Sequence, residues 1–218
     1  MRYFAVPIVI CLAGAAWAQP CAGTSDAAAR DARRAQELKI PQIVEALALP
    51  QGGSVADIGA GDGDYEVPLA KAAGRVYAED IGEGSIKRLH ERVAERHLGN
   101  VEVIHGDPDD PKLPGGIDTV LMVIMYHEIE NHEAMLGHVK AALKPGGRLV
   151  IVDMMPHKTI TRPRADQAKN HVIAADIVEA EVRHAGFEVV SRDDRFIDNP
   201  DEESTRWMIV FRKPAARP

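Results

Sequence analysis

Val55-Ala56-Asp57-Ile58-Gly59-Ala60-Gly61-Asp62-Gly63-Asp64-Tyr65 decides how the rest of the chain is read. A short apolar run ends in an acid, and glycines then stand at three alternate positions. This is the pattern of a strand that stops in a turn and opens into a helix. Glycine admits positive φ and lets a ligand come close to the main chain. The helix that follows aims its unpaired N–H groups at the same place. Such a turn makes a ligand site, and the acids around it select the ligand.

Outward from this turn, strands and helices alternate. Ser54–Ile58, Arg75–Asp80 and Val101–His105 read as strands, with helices at Glu66–Ala73 and Ser85–His97 between them. Pro108 to Gly116 is a loop. Ile117–Met125 is nearly unbroken apolar sequence, as expected of a central strand covered on both faces. Glu133–Leu143 reads as a helix, Lys144-Pro145-Gly146-Gly147 as a type II turn, and Arg148–Asp153 as a strand. Met155–Asn170 is the least regular stretch. His171–His184 reads as a helix ended by Gly186, followed by strands at Phe187–Phe196 and Thr205–Arg212. Upstream, Ala32–Leu47 is amphipathic, with Leu38, Ile43, Val44 and Leu47 on the apolar face. Pro41 inside it predicts two short helices or one kinked helix. The alternation predicts an α/β fold, an open and mostly parallel sheet with helices on both faces. The last two strands have no helix between them and are expected to pair antiparallel.

The 218 residues read as a single domain over 31–213, with 19–30 as a flexible lead-in. Arg2, the apolar run Val6–Ala16 and the small-x-small Ala16-Trp17-Ala18 predict a signal peptide over 1–18 and an exported, periplasmic product. After cleavage no integral membrane segment is expected. Cys21 would then be the remaining cysteine, leaving no intrachain disulfide. A net charge of −7 and the lack of a basic stripe with interleaved aromatics argue against a nucleic-acid binder.

Two ligands use a glycine turn of this kind. A dinucleotide needs G-x-G-x-x-G to seat its pyrophosphate. Here Asp64 holds the third glycine position, and Asp62 and Asp64 would repel a diphosphate. The spacing Asp57-x-Gly59-x-Gly61-x-Gly63 instead resembles the first motif of class I S-adenosylmethionine-dependent methyltransferases. The resemblance continues in order through Val76-Tyr77-Ala78-Glu79-Asp80-Ile81-Gly82, Gly106-Asp107, Ile117-Asp118, Leu143-Lys144-Pro145-Gly146-Gly147-Arg148-Leu149 and Ala185-Gly186-Phe187. It implies a Rossmann-like seven-stranded sheet in the order 3-2-1-4-5-7-6, with the last strand antiparallel and S-adenosyl-L-methionine as cofactor. It also implies a cofactor pocket at Asp57, Gly59, Gly61, Gly63, Tyr65, Asp80, Ile81 and Asp107. In that pocket Asp57 would lie near the ammonium, Asp80 (or, as the other choice, Glu79) on the ribose hydroxyls, and Asp107 on the adenine amino group. A carboxylate suits the ribose because it accepts two hydrogen bonds side by side.

Methyl transfer is an in-line displacement, so the protein positions the nucleophile and, for some acceptors, removes a proton. Tyr126, His127 and Glu128 follow the fourth strand and are the catalytic candidates. This Tyr-His-Glu run is also similar to a bacterial group of exported methyltransferases. His127 is equally suited to holding a backbone carbonyl, Glu128 to a helix N-terminus, and Tyr126 to walling the pocket. His171 and His157 are further imidazoles within possible reach. Arg162, Arg164 and Lys169 offer either attraction for an anionic substrate or a solvated basic face. His127-Glu128 with His132 gives H-E-x-x-x-H. That is one residue too long for a zinc helix, and it turns the second histidine roughly 100° off the shared face. No metal is expected. The chain therefore reads as a methyltransferase acting on a small molecule, with residues 31–50 and 155–170 covering the cleft. A non-catalytic S-adenosylmethionine or nucleoside binder on the same fold is the alternative. The acceptor and the oligomeric state stay open.

Overall fold

The computed structural model describes residues 22–156, 162–198 and 204–215. The proposed signal peptide, Cys21 and His157 lie outside them. Seven strands form one sheet: β1 (Ser54–Ile58), β2 (Arg75–Asp80), β3 (Val101–His105), β4 (Ile117–Val123), β5 (Leu143–Pro156), β6 (Glu188–Asp198) and β7 (Ser204–Arg212). Their order is β3-β2-β1-β4-β5-β7-β6. The first five run parallel, and β7 pairs antiparallel with both β5 and β6. Both the order and the antiparallel end agree with the sequence reading.

Alternate residues of the central strands feed two cores, because successive side chains of a strand point to opposite faces. On one face Val120, Met122, Leu149 and Ile151 join Trp207 and helices α5 (His132–Ala142) and α7 (Ala175–His184). On the other, Leu121, Val150 and Val152 pack with α2 (Ile40–Leu47) and α3 (Glu66–Ala72). Trp207 is wholly buried, and its indole N–H donates to the Ile173 carbonyl at 2.8 Å, which satisfies its one polar atom. Helix α4 (Glu83–Glu95) packs Leu89 beside Ala60 and Ala78.

Several boundaries differ from expectation. Residues 22–30 of the expected lead-in belong to helix α1, which spans Ala22–Glu37. Its alanines carry high intrinsic helix propensity, which outweighs the polarity of the stretch. Lys39, at φ 49°, separates α1 from α2, and Pro41 falls in the first turn of α2, where its missing N–H costs nothing. Of the irregular stretch before α7, Arg164–Ala168 forms a short helix, α6. Helix α7 starts at Ala175 rather than His171, which sits at φ 53° and cannot continue a helix.

The chain leaves β1 toward β2 and returns through β4 on the other side of β1. The loops after β1 and β4 therefore part company, and a crevice opens at the carboxyl ends of these two strands. The candidate site lies there. No helix among the described residues is long and apolar enough to cross a membrane.

Candidate cofactor cleft and active site

Gly59 opens the turn at φ 74°, and a Cβ there would stand 2.9 Å from Met125 Cγ. Backbone conformation and the close approach of the β4 loop both call for glycine. Gly61 and Gly63 also take positive φ. Two adjacent acids of β2 hold the turn from below. Asp80 accepts from the Gly61 N–H at 2.9 Å and from the Gly82 N–H at 2.8 Å. Glu79 is 1% exposed, and its Oε2 accepts a long bond from the Gly59 N–H at 3.4 Å. Its Oε1 has no hydrogen-bond partner. Burial pushes the Glu79 carboxyl up to about 8, against the pull of the Gly59 N–H and with the Asp80 and Asp110 charges adding to the rise. An ideal Cβ on Gly106 would stand 1.9 Å from this Oε1, so Gly106 is glycine to make room for Glu79.

Above these residues is a cleft of about 490 Å³. Glu79, Asp80, Asp109, Glu128 and Glu130 line it, and among the described residues no lysine, arginine or histidine does. Ile58, Ile81, Met125 and Ile129 supply apolar wall. Ile81 is 52% exposed, an apolar side chain standing at the cleft with one face uncovered. Ile124 takes φ 52° directly after β4, while its N–H donates to the Val152 carbonyl at 2.7 Å. A β-branched residue there is strained. Such strain persists only where the surroundings hold it, and it concentrates at functional sites.

The sequence-predicted cofactor residues divide into two groups. Gly59, Asp80 and Ile81 line the cleft. Asp57 does not. It is 1% exposed and lies beneath the turn against Glu66, which is fully buried. Burial first, and then the neighbouring Glu66 charge, raise the Asp57 carboxyl well above the usual range. Two buried carboxyls side by side cannot both ionise, so the pair holds a proton. Tyr65 packs in the core beside α2 and α3. Asp107 forms an ion pair with Lys112 at 2.9 Å, and its neighbours Pro108 and Asp109 take the place at the cleft. Asp62 and Asp64 are salt-bridged to Arg88 and Arg34. The acid of β2 that would repel a diphosphate at the cleft is therefore Asp80, since burial favours the neutral form of Glu79. Through Arg34, α1 touches the glycine turn, yet no residue of 31–50 is among those lining the cleft.

Beyond β4, Tyr126–Glu128 forms a single 3₁₀ turn. Tyr126 is wholly buried and donates its hydroxyl to Glu181 Oε2 at 3.0 Å. Burial and the Glu181 charge push the phenol well above its ordinary value, so this hydroxyl stays protonated. Arg164 donates to Glu181 Oε1 at 2.8 Å and to the Ile129 carbonyl at 2.9 Å. It clamps the loop and is neither a substrate anchor nor a solvated charge. His127 is 2% exposed and fixed by Asp153, which accepts from its main-chain N–H at 3.1 Å and contacts its Nδ1 at 2.9 Å. Burial pulls the imidazole pKa down, but the bond to Asp153 and the charges of Asp153 and Glu128 outweigh this and raise it. Of the three catalytic candidates, Glu128 lines the cleft. His171 stacks edge-on against His127 with ring centroids 5.7 Å apart. His132 lies elsewhere, its Nε2 3.7 Å from Glu181.

Asp153, Glu181 and Arg164 hold the loop after β4 together, a task that no local sequence pattern assigns to them. Asp153 left a trace: an acid that ends the apolar run Leu149–Val152 is out of place unless something receives it.

Residues 55–147 match the family model of the methyltransferase domain. A demethylmenaquinone methyltransferase of Listeria monocytogenes is 28% identical over 116 residues, which is 51% of this chain and 49% of that protein. The chain thus spans about half the length of the curated relatives it matches. Among solved structures, a S-adenosylmethionine-dependent methyltransferase from Aquifex aeolicus superposes with a TM-score of 0.69 at 24% identity, covering 87% of this chain and 97% of that one. The [4+2]-cyclase SpnF gives a TM-score of 0.72 at 15% identity, covering 83% and 82%. Over the matched segment the chain is similar to a methyltransferase domain, and its seven-stranded sheet gives it the Rossmann-like fold of these structures. A cyclase on the same fold is a reminder that chemistry is argued from the site.

Proposed function

We propose that the chain is an S-adenosylmethionine-dependent methyltransferase acting on a small molecule, exported to the periplasm after loss of residues 1–18. The observation that carries this reading is the cleft itself, at the carboxyl ends of β1 and β4: five carboxyl groups and an exposed isoleucine, with no basic side chain among the described residues that line it. A sulfonium and an ammonium are attracted there, and a diphosphate is repelled. Ile81 offers a surface for the adenine, and Asp80 has lone pairs left for the ribose after serving Gly61 and Gly82. The methyl group passes from sulfur to the acceptor as the sulfur–carbon bond breaks, which turns the sulfonium into a neutral thioether. An acceptor that must lose a proton does so beside Glu128, with His127 and His171 behind it.

Calorimetric titration of the purified protein with S-adenosylhomocysteine and, separately, NAD tests the reading. The first is expected to bind at micromolar concentration and the second not at all. Asp80→Ala should weaken binding by about 1–3 kcal/mol for the lost hydrogen bonds to a charged group. Binding of NAD in place of the homocysteine compound overturns the reading. N-terminal sequencing of protein recovered from the periplasm checks the cleavage site.

A further inference from the structure

We propose that His127, Glu128 and His171 form a binding site for a divalent transition-metal ion of the Zn²⁺ type at the wall of the cofactor cleft. The proposal deepens the methyltransferase reading and rests on it for its meaning, though not for its test. His127 Nε2 is 3.7 Å from Glu128 Oε1, and His171 Nδ1 is 3.8 Å from the same oxygen. All three ligand atoms lie within 4.8 Å of one another. A tetrahedral ion with bonds of about 2.1 Å needs its ligand atoms about 3.4 Å apart. Two of the spacings are already within a few tenths of an ångström of that. The two residues that would close the remainder are free to turn, with Glu128 and His171 side chains 64% and 75% exposed.

The surroundings of His127 supply the second argument. Asp153 is completely buried and contacts Nδ1 at 2.9 Å. With the carboxyl oxygen accepting, Nδ1 carries the hydrogen and, in the neutral ring, Nε2 presents its lone pair toward Glu128. A carboxylate that fixes the far nitrogen of a histidine is the usual outer support of a metal-binding imidazole. Asp153 is itself held, since the main-chain N–H of Met154 donates to Oδ1 at 2.7 Å. His171 reaches its place through a left-handed backbone, φ 53°, which is uncommon for a residue other than glycine. Two imidazoles and one carboxylate suit zinc, iron or nickel better than magnesium or calcium. Because Glu128 also lines the cleft, positions left open on the ion would face an oxygen-bearing methyl acceptor. The H-E-x-x-x-H run was set aside on helical register, and its His132 takes no part. His171 comes from a different segment, which a reading along one helix could not bring in.

The test uses the full chain, stripped of metal by a chelator. Co²⁺ is followed by visible absorption and Zn²⁺ by calorimetry. One equivalent is expected to bind saturably. His171→Ala and Glu128→Gln should each weaken Zn²⁺ at least tenfold, on the order expected for losing a ligand, and Asp153→Asn by about 10- to 100-fold as an outer support. His132→Ala should leave Zn²⁺ affinity unchanged. Both ligand substitutions are on exposed side chains, so thermal unfolding should stay at the wild-type temperature. No saturable binding by the wild type, or equal binding by wild type, His171→Ala and Glu128→Gln, overturns the site. S-adenosylhomocysteine titrated in parallel separates the two proposals. Its binding without any for Zn²⁺ removes the metal site alone, and the reverse removes the cofactor reading alone.

Discussion

Replacing Glu79 by glutamine should make the protein more stable, by an amount that depends on pH. Glu79 is buried, and its carboxyl is raised from 4.5 to about 8. Between those values the folded chain keeps a proton on Glu79 that the unfolded chain has released. Wild-type stability therefore falls as pH rises through this window and levels off above about 8. Glutamine has the same shape and no charge to bury. Wild type and variant should be nearly equal at pH 4.5, then diverge by about 1.4 kcal/mol per pH unit. At pH 7 the variant's advantage should reach at most about 3 kcal/mol. The Asp57–Glu66 pair contributes a slope of the same sign to both proteins, so it cancels in the difference. The assay is urea unfolding at half-unit steps from pH 4.5 to 8.5. Parallel curves for the two proteins would refute the argument that Glu79 is held protonated by burial. A variant less stable at every pH would show that its carboxylate is needed in the charged form.

Gly106→Ala should cost about 1–3 kcal/mol by overpacking against Glu79, and the loss should shrink in a Glu79→Ala background, where the colliding oxygen is gone; denaturant unfolding of the four proteins measures the coupling. Tyr126→Phe should lower stability by about 1–3 kcal/mol, because Glu181 loses a buried donor. It should leave S-adenosylhomocysteine affinity within about twofold, because the phenol lies outside the cleft; calorimetry and thermal unfolding check the two halves of that expectation.

How far the sequence could be read depended on the range of each interaction. The strands and the glycine turn are legible because their signals are local, an apolar run, an acid and alternate glycines within a few residues, whereas the strand order is what the family resemblance implies. Asp80 and Ile81 were legible for the same reason, since Asp80 ends β2 beside that turn and Ile81 follows it. The partner of Asp57 was not. Glu66 follows nine positions later in the chain, and only the path of the turn brings the two carboxyls together in the core. Asp107, placed on the adenine amino group by the resemblance, is paired with Lys112 by a loop whose path no local pattern sets. Asp153 meets His127 because β4 and β5 pair Val123 with Val152, which carries the next residue of β5 up to the loop after β4. That register is a property of the sheet. Helix α1 is hard to see in the sequence because its first half is small and polar, and the helical preference of its alanines carries no periodic apolar pattern.

Ile124 is held by one main-chain bond to β5 in a shape its own side chain resists. A residue in that state carries about 1–3 kcal/mol of local strain. The bend it makes is what lays Met125 across Gly59 and starts the turn that carries His127 and Glu128. A glycine would bend there without protest, but it would bend in many other ways too. By accepting a locally unhappy backbone, the chain keeps the wall opposite the glycine loop at one fixed angle.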